Sequence, residues 1–240
     1  MPNGPTATVS GRCARRPDRM RRTALLFDLD GTMLHTDPIH VAVFADMLAP
    51  YGLAVDEAFY MARIHGRLNA EIFAELMPGA QDLAALADAK EAEFRRRLPR
   101  PFPAMPGLEA LLDLAGRQQH PMAVVTNANR LNAEAMLGAI GQRARFDVVI
   151  SGEECARGKP APDPYLAGMA ALGARPADSI AFEDSPAGVQ SAAAAGALVV
   201  GVRSSKSDAD LRAVGAHLTI SDFTDPAFEP VLARLAGAHP

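Results

Sequence analysis

The sequence predicts an α/β protein: a Rossmann-like parallel sheet with helices on both faces, and a helical insertion after the first strand. Three observations predict it. From about residue 105 onward, short apolar runs alternate with helical patterns, with helices of about 10–15 residues as βαβ units require. The runs are near-continuously apolar, as strands covered on both faces must be. The stretch 38–98 is helical throughout and ends in a proline-dense connector.

Residues 24–29, within "ALLFDLDGT", read as a buried strand. Over 38–98, alanine, leucine, glutamate and arginine dominate, with apolar positions at helical spacing, and Pro78-Gly79 marks a helix–helix turn. Leu98–Gly107 carries four prolines and reads as a stiff connector at a domain boundary. Beyond it, helix 107–116 leads to strand 122–125, helix 130–139 to strand 147–150, helix 162–172 to strand 179–182, and helix 186–195 to strand 198–202. A short helix near 207–214 and a strand near 216–220 follow. The predicted organisation is a tail at 1–22, an α/β core from 23–36 and 105–240, and a helical insertion at 37–104.

Composition narrows the function classes. Hydrophobic residues make up 49% and charged residues 22% of 240, ordinary for a soluble globular protein. A net charge of −4 is too weak to imply a nucleic-acid or anionic-membrane partner. No apolar run approaches the roughly 20 residues of a membrane helix. Cys13 and Cys155 form no metal or disulfide pattern, which points to a reducing, cytoplasmic setting. The first 22 residues hold six arginines and one acid. They read as a disordered tail, with a transit segment or a start at Met20 as the competing readings.

In open α/β sheets, ligands bind at the carboxyl ends of the strands. Asp28 and Asp30 follow the first strand, Thr126 and Asn127 the second, Lys159 the third, and Glu183 and Asp184 the fourth. Converging acids repel one another and raise each other's pKa. A hard divalent cation such as Mg²⁺ removes that problem, and Lys159 adds a point charge suited to a phosphate.

"DLDGT", Thr-Asn after a strand, Lys-Pro and "EDSPAG", in that order, resemble the four motifs of the haloacid dehalogenase superfamily. The insertion resembles the C1 cap of its β-phosphoglucomutase-like and phosphoglycolate-phosphatase-like branch. The resemblance implies a Mg²⁺-dependent phosphatase acting on a small phosphorylated metabolite, such as a sugar phosphate or phosphoglycolate. Asp28 is then the nucleophile and Asp30 the acid and base. Asp28, the Asp30 carbonyl, Asp184 and Glu183 hold Mg²⁺. Thr126 and Asn127 donate to the phosphoryl oxygens, and Lys159 bridges phosphate and nucleophile. His40 lies near the acid/base, and Gly66 and Arg67 belong to a substrate-facing loop of the cap. His35 departs from the aspartate that many relatives carry there. The expected working unit is a monomer.

Competing readings accompany these. "LDGT" is good turn chemistry, and Thr126-Asn127 reads equally as a helix cap. Ser185-Pro186 is a helix start. Arg95-Arg96-Arg97 reads as a solvated helix end. A sugar phosphomutase would share these residues, although Thr32 favours a phosphatase. A haloacid dehalogenase lacks the second aspartate, and a non-catalytic protein would have lost part of the set.

Overall fold

The computed structural model describes residues 22–65, 67 and 69–237. The predicted tail therefore lies outside the described residues except for Arg22, as does Gly66. No described helix is long and apolar enough to cross a membrane.

The described strands are β1 Ala24–Phe27, β2 Met122–Thr126, β3 Val148–Ser151, β4 Ser179–Glu183, β5 Leu198–Val202 and β6 Leu218–Ile220. They form one sheet in the order β3-β2-β1-β4-β5-β6, and every neighbouring pair is parallel. The chain winds outward from β1 to β3, then crosses to β4 on the other side. β1 therefore sits at the point where the winding direction reverses, the place where such sheets leave a crevice at their carboxyl ends.

Between β1 and β2 run α1 Asp37–Leu48, α2 Glu57–Arg63, α3 Asn69–Leu76 and α4 Leu83–Arg97. The remaining helices are α5 Leu108–Gln118, α6 Arg130–Ala139, α7 Asp163–Ala171, α8 Pro186–Ala194, α9 Asp208–Ala213 and α10 Glu229–Leu235. A turn falls at Pro78-Gly79, and residues 98–107 carry no helix or strand. Two differences have physical causes. β1 ends at Phe27 rather than at residue 29, because the chain bends into a turn at Gly31, whose φ is +75°. α10 carries no clear sequence signal: it is only 7 residues long, with a proline in its first turn.

Both faces of β1 are buried. Leu25 and Phe27 join a large cluster with Phe182, Phe223 and Phe228. Ala24 and Leu26 join a second with Val125, Tyr165 and Val189. Phe44, Leu48, Tyr60, Ile72 and Phe73 form a third within the insertion. Val43, Phe94 and Leu98, also from the insertion, belong to the first cluster, so the insertion is packed onto the sheet as well as onto itself.

Phe182 stands at the middle of the first cluster. Its ring stacks on Phe27 at 4.8 Å and meets Phe223 and Phe228 edge-on at 5.5 and 5.8 Å. Truncation there leaves a cavity between rings that cannot collapse together. Phe182→Ala should lower unfolding stability by about 3–5 kcal/mol in urea titration. A loss below about 1 kcal/mol would mean the cluster repacks without it.

Candidate active site

The strand ends bring the predicted residues to one rim. Asp28 directly follows β1 and is still held to the sheet, its backbone N–H donating to the Phe182 carbonyl at 3.0 Å. Thr126 ends β2 and Glu183 ends β4. Lys159 lies in the loop between β3 and α7. Asp28, Thr126 and Lys159, with Asp30 and Asp184, line a cavity of about 240 Å³ between the rim and the insertion, and Glu183 lies buried behind them. A larger surface groove of about 800 Å³ follows the proline connector. It contains none of the rim residues, so the chemistry belongs to the smaller cavity.

Lys159 organises the rim. Its ammonium, almost fully buried, donates to Asp28 Oδ1 at 2.6 Å, to the Val125 carbonyl at 2.8 Å and to Glu183 Oε1. Tyr165 Oη donates to the same Glu183 oxygen at 2.8 Å, and Ser185 Oγ to the other at 3.3 Å. Glu183 is completely buried and is thus held by protein donors. Gly188 makes its seat possible, because a Cβ there would run into the Glu183 carboxylate. Asp184 accepts from Ser204 Oγ at 2.9 Å. Gly31 plays the matching part for Asp184, whose carboxylate occupies the space that a Cβ would need.

Burial, together with the charge of Glu183, pushes Asp28 up from 3.8 to about 7, against the lowering pull of Lys159. Burial and the charges of Asp28 and Glu183 raise Asp184 well above the carboxylate range. Burial disfavours the Lys159 cation, but Asp28 and Glu183 outweigh it and keep its pKa above the ordinary lysine value. Ligand oxygens of Asp28, Glu183 and Asp184 lie within 4.8 Å of one another. One ammonium among three buried carboxylates leaves an excess of negative charge. A hard, all-oxygen donor set with that excess fits a divalent cation of the Mg²⁺ type.

Asp30 points elsewhere. It accepts from Thr36 Oγ1, and His40 Nε2 lies 3.7 Å from the same oxygen. His40 stacks flat on Phe94, with ring centroids 4.2 Å apart. Its Nδ1 lies 3.0 Å from Lys90 Nζ. An ammonium only donates, so Nδ1 accepts and the ring proton sits on Nε2, towards Asp30. Thr36, Lys90, Tyr165 and Ser204 are among the members of the site that the sequence does not reveal, as are Asp37, Tyr60, His65 and Glu91 of the cleft lining. None sits in a local motif: Lys90 reads as one more charged residue in a long helix.

Thr126 and Asn127 do not cap α6; Asn129 does, its side chain accepting from the Asn132 N–H at 2.9 Å. The Asn127 amide instead pairs with the peptide of Lys159, accepting from its N–H at 3.0 Å and donating to its carbonyl at 3.2 Å. Ser185 does cap α8, accepting from the Gly188 N–H at 3.0 Å. Arg67 lines the cleft, but its Nη1 is shared between Glu75 at 2.7 Å and the Arg63 carbonyl at 2.8 Å. Thr32 is fully buried and is not among the residues lining the cleft. The arginine triplet is paired, and Arg96 within it is exposed as the solvated reading expects. Arg95 meets Asn132, and Arg96 and Arg97 meet Glu93. His35 is exposed.

The profile of the haloacid dehalogenase-like hydrolases matches residues 25–202. The chain is 35% identical over 186 residues to fructose-1-phosphate phosphatase YqaB of Escherichia coli, covering 76% of this chain and 97% of that one. It is 34% identical over 184 residues to hexitol phosphatase A of the same organism, covering 76% and 84%. Among solved structures, CbbY from Rhodobacter sphaeroides in complex with phosphate matches with a TM-score of 0.72 at 27% identity, covering 85% and 95%. The β-phosphoglucomutase of Clostridium difficile matches with a TM-score of 0.77 at 21% identity, covering 90% and 98%, a likeness of fold.

The elevated Asp28 has a consequence for the metal-free chain. Between pH 3.8 and about 7 the folded state keeps a proton that the unfolded state has lost. The unfolded state then binds fewer protons, and this group's contribution to stability falls as pH rises. Asp28→Asn removes the titration. In chelator, the stability gained by Asp28→Asn should be larger at pH 8 than at pH 5 by roughly 2–3 kcal/mol, measured by denaturant unfolding. A gain independent of pH would show that Asp28 is already ionised in the fold.

Proposed function

The chain belongs to the haloacid dehalogenase-like hydrolases, in the branch that includes the β-phosphoglucomutase-like proteins, and from that premise we propose that it is a phosphatase acting on a small phosphorylated sugar or polyol. The observation that carries this is the buried ammonium of Lys159 between Asp28 and Glu183, with Asp184 beside them. That arrangement is suited to receiving a phosphoryl group, whose transfer needs positioning and charge neutralisation above all. The phosphatase names of the two Escherichia coli relatives support hydrolysis over isomerisation.

In this reading, Asp28 attacks phosphorus and carries the phosphoryl group as an aspartyl-phosphate. Asp30 gives its proton to the leaving alcohol oxygen, then takes one from the water that attacks the aspartyl-phosphate. Lys159 offsets charge on Asp28 and the phosphoryl oxygens, and the Thr126 hydroxyl is available to donate to those oxygens. Asp28, Asp184 and the Asp30 carbonyl would hold Mg²⁺, which supplies positive charge against the phosphoryl group. Glu183 acts here through Lys159, since Lys159, Tyr165 and Ser185 occupy its oxygens. The Asn127 amide, which the sequence assigns to substrate, acts by holding the Lys159 loop. The insertion serves as a cap that closes over the substrate and excludes bulk water. Arg67 on the cap wall, with Gly66 beside it in sequence, contacts the non-reacting end. One chain supplies every group named, and a monomer is proposed as the working unit. A reducing, cytoplasmic compartment is consistent with the sparse cysteines.

Phosphate release from a panel of sugar and polyol monophosphates tests the reading. Asp28→Asn should reduce kcat by at least about three orders of magnitude, because an amide cannot form the acyl phosphate. Activity within tenfold of the parent would remove Asp28 as the nucleophile. Chelation should abolish turnover and added Mg²⁺ restore it, and Asp184→Ala should raise the Mg²⁺ concentration required. Undiminished turnover in chelator would refute the metal site.

A further inference from the structure

We infer that Asn132 is a positioning residue: it registers the cap on the core by gripping Glu91 and Arg95 of α4. The inference rests on the phosphatase reading above for its effect on turnover, and on geometry alone for the grip itself.

Asn132 lies in the first turn of α6, on the core, and is buried. Its amide spans two cap residues. Nδ2 donates to Glu91 Oε2, and Oδ1 accepts from Arg95 Nη1 at 2.6 Å. Glu91 and Arg95 are four residues apart, so they lie on one face of α4, and an acceptor followed by a donor is what an amide matches end to end. A carboxylate at residue 132 only accepts and satisfies half of that pattern.

The grip matters because of what else Glu91 holds. Its other oxygen accepts from Lys90 Nζ at 2.9 Å and from Asn69 Nδ2 at 2.5 Å. Lys90 in turn fixes His40, which faces Asp30. Asn69 begins α3, next to the stretch of cap that holds Arg67. A single cap carboxylate therefore joins the core contact, the support of Asp30 and a wall of the cleft. With Asn132 engaged, α4 sits in the register that aligns Lys90. Without it, Glu91 keeps its cap partners, and α4 is held on the core by the non-directional apolar packing of Phe94 and Leu98.

A polarity swap tests this. Asn132→Asp sets a carboxylate against Glu91. Adding Glu91→Gln presents an N–H to the new carboxylate while the remaining Gln oxygen still serves Lys90 and Asn69. For a hexose phosphate, Asn132→Asp should lower kcat/KM by about tenfold to a hundredfold, a coupling of the size expected for contacting polar groups. Acetyl phosphate, whose acetate leaves without a proton, should lose no more than about threefold. The double variant should be more active on the hexose phosphate than either single variant. Additive losses, an equal fall on both substrates, or no loss in Asn132→Asp would each overturn the inference. If Asn132→Asp does not fold alone, the comparison of Glu91→Gln with the double variant carries the same test. Hydrogen exchange across residues 83–97 reads the cycle with no substrate present: faster in Asn132→Asp, slowed again in the double variant. Failure of the parent to hydrolyse either substrate would strike the phosphatase reading and leave the exchange result to judge the grip.

Discussion

A buried ammonium among buried carboxylates is the constraint on which this structure turns. Lys159 is nearly inaccessible to water and touches two acids and a carbonyl. Removing any one partner from such a set strands a charge in a poorly solvated place. Much local sequence serves that one cation. The Asn127 amide clamps the Lys159 peptide, and Gly152 and Gly158 leave room against the Asn127 oxygen. Gly188 leaves room for Glu183, and Gly31 for Asp184. Three carboxylates against one ammonium leave a formal excess of two negative charges, which a divalent cation balances. The same imbalance, with burial, explains why Asp28 and Asp184 are pushed upward without a cation.

The core was legible in the sequence because its signals are local. A strand followed by an acid, as in Phe27-Asp28 or Phe182-Glu183, states both the element and its polar tip. The helix start at Ser185-Pro186 follows from capping chemistry and is found. The supporting residues were not legible, because nothing near them in sequence marks their partners. Lys90 meets His40 across 50 positions. Arg95 meets Asn132 across 37, so a triplet that reads as a solvated helix end contains a half-buried contact. Asn127 was read for its nearness to Thr126, yet its amide is used by a loop 32 residues away. Arg67 reads as a residue of a substrate-facing loop, and nothing around it in sequence marks Glu75, eight residues on, as its partner. Pairings across the chain depend on how the insertion lies on the sheet, and residue pattern does not encode that placement.

The two aspartates that open the site are set by different parts of the molecule. Asp28 is held by the sheet: by the Phe182 carbonyl through its own backbone and by Lys159 through its side chain. Asp30, two residues on, is oriented by Thr36 and His40, which lie at the foot of the insertion, and behind them by Lys90 on α4. The proposed nucleophile therefore needs no contribution from the insertion, whereas the proposed acid and base does. On that division, a phosphoryl acceptor exists whatever the position of the cap, but proton transfer to a poor leaving group requires the cap to be seated. On the proposed reading, an unactivated ester therefore asks more of the insertion than an activated phosphate does, because only the ester needs the proton of an Asp30 held by Thr36, His40 and Lys90.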